Sequence, residues 1–251
     1  MKELILVKVE RDGFDKIPEN EKLLFVKTSL FADEINILLK LITFSNKEVV
    51  GDQALLKAQN NQTIFLLKLL AGKLREGWDI LEKDLWSSKL ARDLESDLKE
   101  KGRNNLAKLK EYFKDCSDNN PISLIRKKYA FHYDSEYIKE QLRAISIDEP
   151  LDLYLAEHPY DTFYSISHMI INHSILEKVS KGDPWKALNI IFNDIIKVAL
   201  WFIGLTFEIL TIIRKKYSNV FLEAKLVRLD DVPDVNDIFI PYFVDGELKP
   251  I

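Results

Sequence analysis

The sequence predicts a mainly α-helical protein, a bundle of long helices with a small inserted β-hairpin. Apolar residues recur at every third or fourth position over long stretches, which is the period of a helix with one buried face. Only 8 glycines and 8 prolines interrupt the 251 residues, so the chain has few strong turn signals. Apolar residues make up 47% and charged residues 30%, a balance typical of a globular protein with a buried core.

Charge and cysteine content exclude several classes of protein. The net charge of −4 argues against a protein that coats nucleic acid through its overall field, although a local basic patch is compatible with it. The single cysteine, Cys116, excludes an internal disulfide framework and a cysteine zinc cluster. The N-terminal segment lacks the apolar core and the small-residue cleavage site of a signal peptide, so we expect a cytoplasmic protein.

The first half of the chain is predicted to be helical after a short apolar segment that suits a strand. Two apolar stripes with helical spacing predict two long helices. The first stripe is Leu24, Leu30, Phe31, Ile35, Leu38, Leu39 and Ile42; the second is Leu56, Ile64, Leu67, Ala71, Leu74, Trp78, Leu81 and Leu85. Leu90, Leu94 and Leu98 continue the pattern to Gly102, where we expect a helix to end because glycine favours the C-terminal cap. A further short helix follows.

Capping residues place the helices of the second half. Asn120-Pro121 predicts a helix start, with asparagine as the cap and proline at the first helical position. Asp134 or Ser135 is suited to begin the next helix. Asp183-Pro184 predicts the start of the last and longest helix, which we expect to reach about Tyr217.

The remaining segments predict a small amount of β structure. Residues 151–157 and 161–167 are rich in strand formers and flank a His-Pro-Tyr turn, so we expect a hairpin at about 151–167. The tail, about 220–251, is expected to be irregular or to form short strands. No linker is long or biased enough to mark a boundary, so we expect one domain, 1–251.

An apolar stretch, 198–213, raises the alternative of a membrane-associated protein. It is shorter than the roughly 20 residues that a bilayer span needs. Glu208 interrupts it, and Lys197 and Arg214 flank it closely. A helix buried at the centre of a soluble bundle has the same pattern. We therefore expect no membrane contact.

The segment 124–134 carries the strongest functional signal, because Arg126 precedes His132 by six residues. Arginine holds phosphate well, and histidine transfers protons near neutral pH. In one unbroken helix, residues six apart point about 120° away from each other, so a break near His132 would be needed to bring the two together. The alternative is simply the basic end of a helix. The pentapeptide 125–129 recurs at 213–217, where no histidine follows.

This segment resembles the Arg-x(4–6)-His signature of the HEPN superfamily, whose members are α-helical bundles and often metal-independent ribonucleases of defence and toxin–antitoxin systems. The resemblance implies that Arg126 binds the scissile phosphate and that His132 acts as general base or acid. It implies a homodimer that assembles two copies of the motif in one cleft. Residues beside the motif would bind RNA through charge and stacking; they are Lys127, Lys128, Tyr129 and Tyr133.

The sequence contains few other candidate residues for a functional site. Glu76 and Asp79 are candidate acids for the same cleft; the alternative is that they are surface charges paired with Lys73, Arg75 or Lys83. His168 and His173 are five residues apart, which does not place them on one helical face as a zinc pair requires. The sequence therefore predicts no metal and no cofactor.

A second interpretation keeps the helical bundle and drops catalysis. In it the protein is an interaction or regulatory module that binds a protein partner, such as an antitoxin or regulator, through its apolar faces. Exposure of Arg126 and His132 in one cleft favours the ribonuclease, and burial of His132 favours the module.

Overall fold

The computed structural model describes residues 2–47, 50–86, 90–114, 120–128, 135–146 and 151–245. Within them the chain is mainly α-helical, which confirms the predicted fold class. The helices are α1 (Arg11–Asp15), α2 (Glu19–Ser45), α3 (Gln53–Ile80), α4 (Leu90–Asp97), α5 (Glu100–Lys114), α6 (Pro121–Lys128), α7 (Ser135–Ala144), α8 (Ser165–Val179) and α9 (Pro184–Lys216). The two strands are β1 (Lys2–Val9) and β2 (Phe221–Leu229).

The chain divides into two compact units. Unit 1 comprises Met1–Ile37, Lys73–Cys116 and Lys197–Ile238, and unit 2 comprises Leu38–Gly72, Ser117–Ile196 and Phe239–Ile251. The helices α2, α3 and α9 each contribute residues to both units. The expectation of one domain over 1–251 stays a prediction.

Unit 1 contains the two-stranded antiparallel sheet. β1 pairs with β2 from Lys2 opposite Leu229 to Val9 opposite Phe221, with a bulge between Leu6 and Val7. The first strand was expected from the sequence, and β2 is the strand of the predicted tail. A small core of Ile17, Val220 and Phe221 packs beside this sheet, together with Val7, Phe14, Phe25 and Tyr217.

Glycines permit a close contact between α5 and α9 in unit 1. A Cβ at Gly102 would collide with the carboxylate of Glu208, and a Cβ at Gly204 would collide with the side-chain amide of Asn105. The expectation that Gly102 ends a helix is wrong, because α5 continues through it from Glu100 to Lys114. Glycine at this position serves helix packing instead of helix termination.

Two of the predicted helix starts, Asn120-Pro121 and Asp183-Pro184, are confirmed by capping hydrogen bonds. Asn120 Oδ1 accepts the backbone N–H of Ser123 at 3.1 Å at the start of α6. Asp183 Oδ1 accepts the backbone N–H of Lys186 at 2.9 Å at the start of α9. Both bonds satisfy donors that the first helical turn leaves without an internal partner.

The predicted hairpin is present as a single antiparallel bridge. Tyr154 and Phe163 exchange two backbone hydrogen bonds of 2.9 and 2.8 Å around a short 3-10 turn at Pro159–Asp161. Strand pairing does not extend further, because α8 begins at Ser165. Residues 165–167, which the sequence assigned to the second strand, therefore form the first turn of a helix.

The part of the C-terminal tail that belongs to unit 2 docks there through the buried amide of Gln59. Gln59 Nε2 donates to the carbonyl oxygens of Ser45 at 2.7 Å and Ile240 at 3.0 Å, and Gln59 Oε1 accepts the backbone N–H of Tyr242 at 3.0 Å. Gln62 Nε2 also donates to the Ile240 carbonyl, at 2.9 Å. The Ile240 carbonyl and the Tyr242 N–H therefore have partners in α3, and the Ile240 N–H donates to the Phe44 carbonyl of α2 at 3.1 Å, as a packed segment requires.

Candidate functional site

Arg126 is exposed and directly follows four buried residues of its helix. In α6, Ile122, Leu124 and Ile125 are 0%, 2% and 1% exposed, whereas Arg126 is exposed. The Asn120 cap and these apolar contacts fix the helix from which the guanidinium extends. Such a guanidinium is available to an external anion.

The other residues of the predicted motif are described only in part. Lys127 and Lys128 lie in the last turn of α6, and their side chains fall outside the described part of the chain. Tyr129, His132 and Tyr133 lie outside the described residues as well. The pairing of Arg126 with His132 stays a prediction.

Glu76 and Asp79 belong to unit 1, where each is paired with a lysine or arginine of α3. Lys73 Nζ contacts Glu34 Oε2 at 2.9 Å and Glu76 Oε2 at 3.1 Å, and these carboxylates raise the pKa of Lys73, Glu34 most of all. Arg75 Nη2 contacts Asp79 Oδ1 at 3.1 Å. These are the pairs with Lys73 and Arg75 that the alternative interpretation of the two acids expects.

Unit 2 contains a cavity of about 460 Å³ between α3 and α8, which we call the α3–α8 cavity. Polar side chains of both helices line it, together with Asp152 and Ser146 from the connecting segments. The polar residues of the two helices are Lys57, Asn60, Asn61, Ser165, His168, Asn172, His173 and Glu177. Its apolar lining includes Ile64, Met169 and Leu176.

A hydrogen-bonded chain of amides borders this cavity. Lys68 Nζ donates to Asn172 Oδ1 at 2.6 Å, and Asn172 Nδ2 donates to Asn61 Oδ1 at 3.2 Å. Asn61 Nδ2 in turn donates to the backbone carbonyl of Lys57 at 2.8 Å. Asn172 is 5% exposed. Lys68 itself lines a small apolar recess of about 20 Å³ that shares Ile64 and Asn172 with the larger cavity.

Burial lowers the pKa values of two groups beside this cavity, Lys68 and His168. Burial lowers the pKa of Lys68 to about 8, because the charged ammonium loses its hydration. The pKa of His168 is lowered chiefly by burial and further by the positive charge of Lys68. At neutral pH the imidazole of His168 is therefore mainly neutral, while Lys68 is mainly charged.

Lys57 and Asp152, which both line the cavity, form an ion pair. Lys57 Nζ lies 2.9 Å from Asp152 Oδ2, and the hydrogen bond to this carboxylate raises the pKa of Lys57. Within the described ranges, no group of three or more His, Cys, Asp or Glu side chains is arranged to hold a metal ion.

Sequence analysis did not single out Lys68 or the asparagines. A signal was present, because Lys68 stands alone in the apolar run 64–71, and Asn61, Ile64 and Lys68 follow the helical three-and-four spacing of one face. A lysine on such a face is either extended to solvent or functional.

A larger cavity of about 940 Å³ lies in unit 1 beside α5 and α9. Four lysines line it, together with Asp97, Phe207 and Glu208; they are Lys99, Lys101, Lys215 and Lys216. Glu208 Oε2 accepts the backbone N–H of Lys99 at 3.1 Å, so this carboxylate caps the start of α5. Phe207 is 70% exposed.

One helix of the described chain, α9 between Lys186 and Lys216, is long and apolar enough to cross a membrane by length and composition. The core helix of a soluble protein passes the same test, so this is weak evidence for a membrane span. The helix is longer than the stretch 198–213 that the sequence singled out.

Comparison with known proteins assigns no family to the chain. Neither a protein-family model, nor a curated protein, nor a solved structure matches it.

Proposed function

We propose that the protein is a cytoplasmic, metal-independent ribonuclease of a defence or toxin–antitoxin system. Arg126 and His132 are its catalytic pair. The exposed guanidinium of Arg126, which follows four buried residues of α6, is the observation that carries the proposal. A fixed helix with an exposed arginine is suited to hold a phosphate in one position, since guanidinium binds phosphate oxygens through two parallel hydrogen bonds.

The roles of the residues follow from the chemistry of RNA cleavage. Arg126 binds the scissile phosphate and stabilises the negative charge that develops on its oxygens. His132 takes the proton of the ribose 2′-hydroxyl or gives a proton to the leaving oxygen. Lys127 and Lys128 attract the RNA backbone, and Tyr129 and Tyr133 stack on unpaired bases. A homodimer places two copies of the motif in one cleft.

Cleavage of a structured RNA pool in excess EDTA tests the proposal. We expect wild-type protein to cleave and His132→Ala to lose at least about a hundredfold in rate, as general acid–base catalysis commonly contributes that much. Arg126→Lys retains the charge and loses the two-pronged geometry, so it should be strongly impaired as well. Arg143→Ala is the control, because Arg143 is an exposed arginine of α7 in the same unit. Intact RNA with wild-type protein contradicts the proposal.

A second candidate function is a non-catalytic module that binds a protein partner. It is favoured by apolar side chains that α9 exposes in unit 1, where Leu200 is 57% and Phe207 70% exposed. Exposed large apolar groups on one helix are typical of contact surfaces. For this candidate, RNA stays intact with wild-type protein, and partner binding is lost in Phe207→Ser but not in Arg126→Ala.

A further inference from the structure

The chemistry of the amide chain determines which groups the α3–α8 cavity presents. An ammonium group only donates hydrogen bonds, so the atom of Asn172 that faces Lys68 must be its oxygen. The Nδ2 amide of Asn172 then faces Asn61, whose own Nδ2 faces the carbonyl of Lys57. Each side-chain amide carries two N–H donors, and this chain uses one of each. Both residues line the cavity, so each amide has one further N–H that a ligand there can engage.

The carboxylates that line this cavity already have partners. Asp152 pairs with Lys57 at 2.9 Å. Glu177 Oε1 accepts the backbone N–H of Gly182 at 3.1 Å. The imidazoles of His168 and His173 complete the titratable lining. No carboxylate of the described chain pairs with Lys68, whose hydrogen bond goes to a neutral amide.

Lys68 lies behind the cavity wall, because its Nζ donates to Asn172 Oδ1 at 2.6 Å and Asn172 lines the cavity. Lys68 acts on His168, which lines the cavity, strongly enough to help lower the pKa of that imidazole. A buried ammonium without an opposite charge is unfavourable, and an anion nearby would offset this cost. The amide donors and the ammonium therefore favour the same kind of ligand, one that accepts hydrogen bonds and carries negative charge.

We propose that the α3–α8 cavity binds a small organic anion, with its carboxylate or phosphate group beside Asn172 and Asn61 and its hydrocarbon part against Ile64, Met169 and Leu176. The volume of about 460 Å³ suits a small molecule. The site stands apart from the Arg126 and His132 pair, so it does not depend on the proposed ribonuclease activity. Carboxylate and phosphate share the chemistry that the cavity recognises, and the probes below separate them.

Histidine NMR with three matched probes tests the proposal. The probes are butyrate, butyl phosphate and butanol, which share one hydrocarbon chain and differ in the charged group. The chain has only 4 histidines, so the imidazole signal of His168 can be assigned by a His168→Gln variant. We expect at least one anion to raise the pKa of His168 in a saturable manner, because negative charge favours the imidazolium. The tighter anion identifies the recognised group, and butanol should have no such effect.

Two variants separate the site from adventitious binding. Lys68→Met removes the positive charge behind Asn172, and we expect it to weaken anion binding about tenfold or more, because the attraction between opposite charges is lost. Asn172→Asp keeps the shape and places a carboxylate beside Lys68, so it should raise the pKa of Lys68 and exclude the anion. Lys40→Met is the control, because Lys40 is an exposed lysine of unit 2.

Three results would each overturn the proposal. In the first, neither anion produces a saturable change at His168. In the second, butanol shifts the signal as the anions do, which identifies an apolar pocket without charge recognition. In the third, Lys68→Met and Asn172→Asp both bind the anion as tightly as Lys40→Met does.

Discussion

The carboxylate of Glu208 caps the start of α5 and occupies the space that a side chain at Gly102 would need. Glu208 Oε2 accepts the backbone N–H of Lys99 at 3.1 Å, and a Cβ at Gly102 would collide with the same carboxylate. A charge in the middle of the apolar helix α9 thus has a structural role. It satisfies a helix-terminal donor and lies at the positive end of the α5 dipole.

A double-mutant cycle between Glu208 and Gly102 measures this relationship. Glu208→Ala should destabilise the protein by about 1 kcal/mol through loss of the cap. In that background Gly102→Ala should stabilise by about 0.5–1 kcal/mol, because alanine is the better helix former. In the wild-type background Gly102→Ala displaces the Glu208 carboxylate and should give no gain in stability. Urea unfolding curves give the four free energies; an equal effect of Gly102→Ala in both backgrounds would show that the two residues are independent.

The stability of the protein should depend on pH through Lys68. Its pKa is about 8 in the folded chain, against an ordinary value of 10.5. The cost of the buried charge is fully present below pH 8. It disappears as pH rises from 8 to 10.5, because the folded protein then loses this proton before the unfolded chain does. Lys68→Met should therefore gain stability relative to wild type, by on the order of 3 kcal/mol, as pH falls from 10.5 to 7.

Urea unfolding at several pH values tests this dependence, with Lys40→Met as the control. The difference between wild type and Lys68→Met should vary with pH, whereas the difference between wild type and Lys40→Met should stay constant. A pH-independent difference for Lys68→Met would mean that the folded chain leaves the ordinary pKa of Lys68 unchanged.

Gln59 should be needed for docking of the C-terminal tail. Gln59→Leu leaves the Tyr242 N–H without its acceptor and removes the donor to the carbonyls of Ser45 and Ile240. Because buried polar groups lose free energy when a partner is removed, we expect a destabilisation of about 2 kcal/mol. Hydrogen exchange at the Tyr242 amide should accelerate. Gln53→Leu, at the exposed start of α3, is the matched control, and the same acceleration there would contradict a specific role for Gln59.

Glu21 should stabilise unit 1 through its contacts with the end of α9. Glu21 is 7% exposed, and its carboxylate accepts hydrogen bonds from Lys216 Nζ at 2.8 Å and from the Tyr217 hydroxyl at 2.7 Å. Glu21→Gln should cost about 1 kcal/mol, a modest value because Lys216 is partly exposed. Glu19→Gln, in the same helical turn and exposed, should cost nothing measurable by thermal unfolding.

This Glu21 contribution should also weaken at high pH. Glu21 raises the pKa of Lys216, so the stabilisation is fully present below the ordinary lysine pKa of 10.5. It is lost as pH rises through the raised value, because the folded protein must then release the proton that the ion pair retains. The stability difference between wild type and Glu21→Gln should therefore shrink above pH 10.5. A constant difference would indicate that Lys216 does not contribute.

Local signals in the sequence predicted the helices well. Asn120-Pro121 and Asp183-Pro184 begin α6 and α9 as expected, because a cap acts on residues two or three positions away. The predicted helix end at Gly102 was wrong for the opposite reason. Its function depends on Glu208, which is distant in sequence and close in the folded chain.

Of the two candidate sites, the one built from neighbouring residues was predicted from the sequence and the one built from distant residues was not. Arg126 was identified from the sequence because His132, its predicted partner, is only six residues away, and the side chain of Arg126 is exposed. Lys68 was not identified, since Asn172, which bonds both Lys68 and Asn61, is 104 residues from the first and 111 from the second. The pattern within a single helix shows that Lys68 lies on an apolar face, but it does not reveal which amide accepts the hydrogen bond of Lys68.

The sequence by itself determined the helical class, the helix starts and the candidate Arg126 motif, because these follow from periodicity and from contacts between neighbours along the chain. The tertiary structure alone decided the pairing of β1 with β2, the packing of α5 on α9, and the Lys68–Asn172–Asn61 chain. Each of these joins residues that are remote in sequence, and their free energy depends on burial and donor geometry that exist only once the chain has folded.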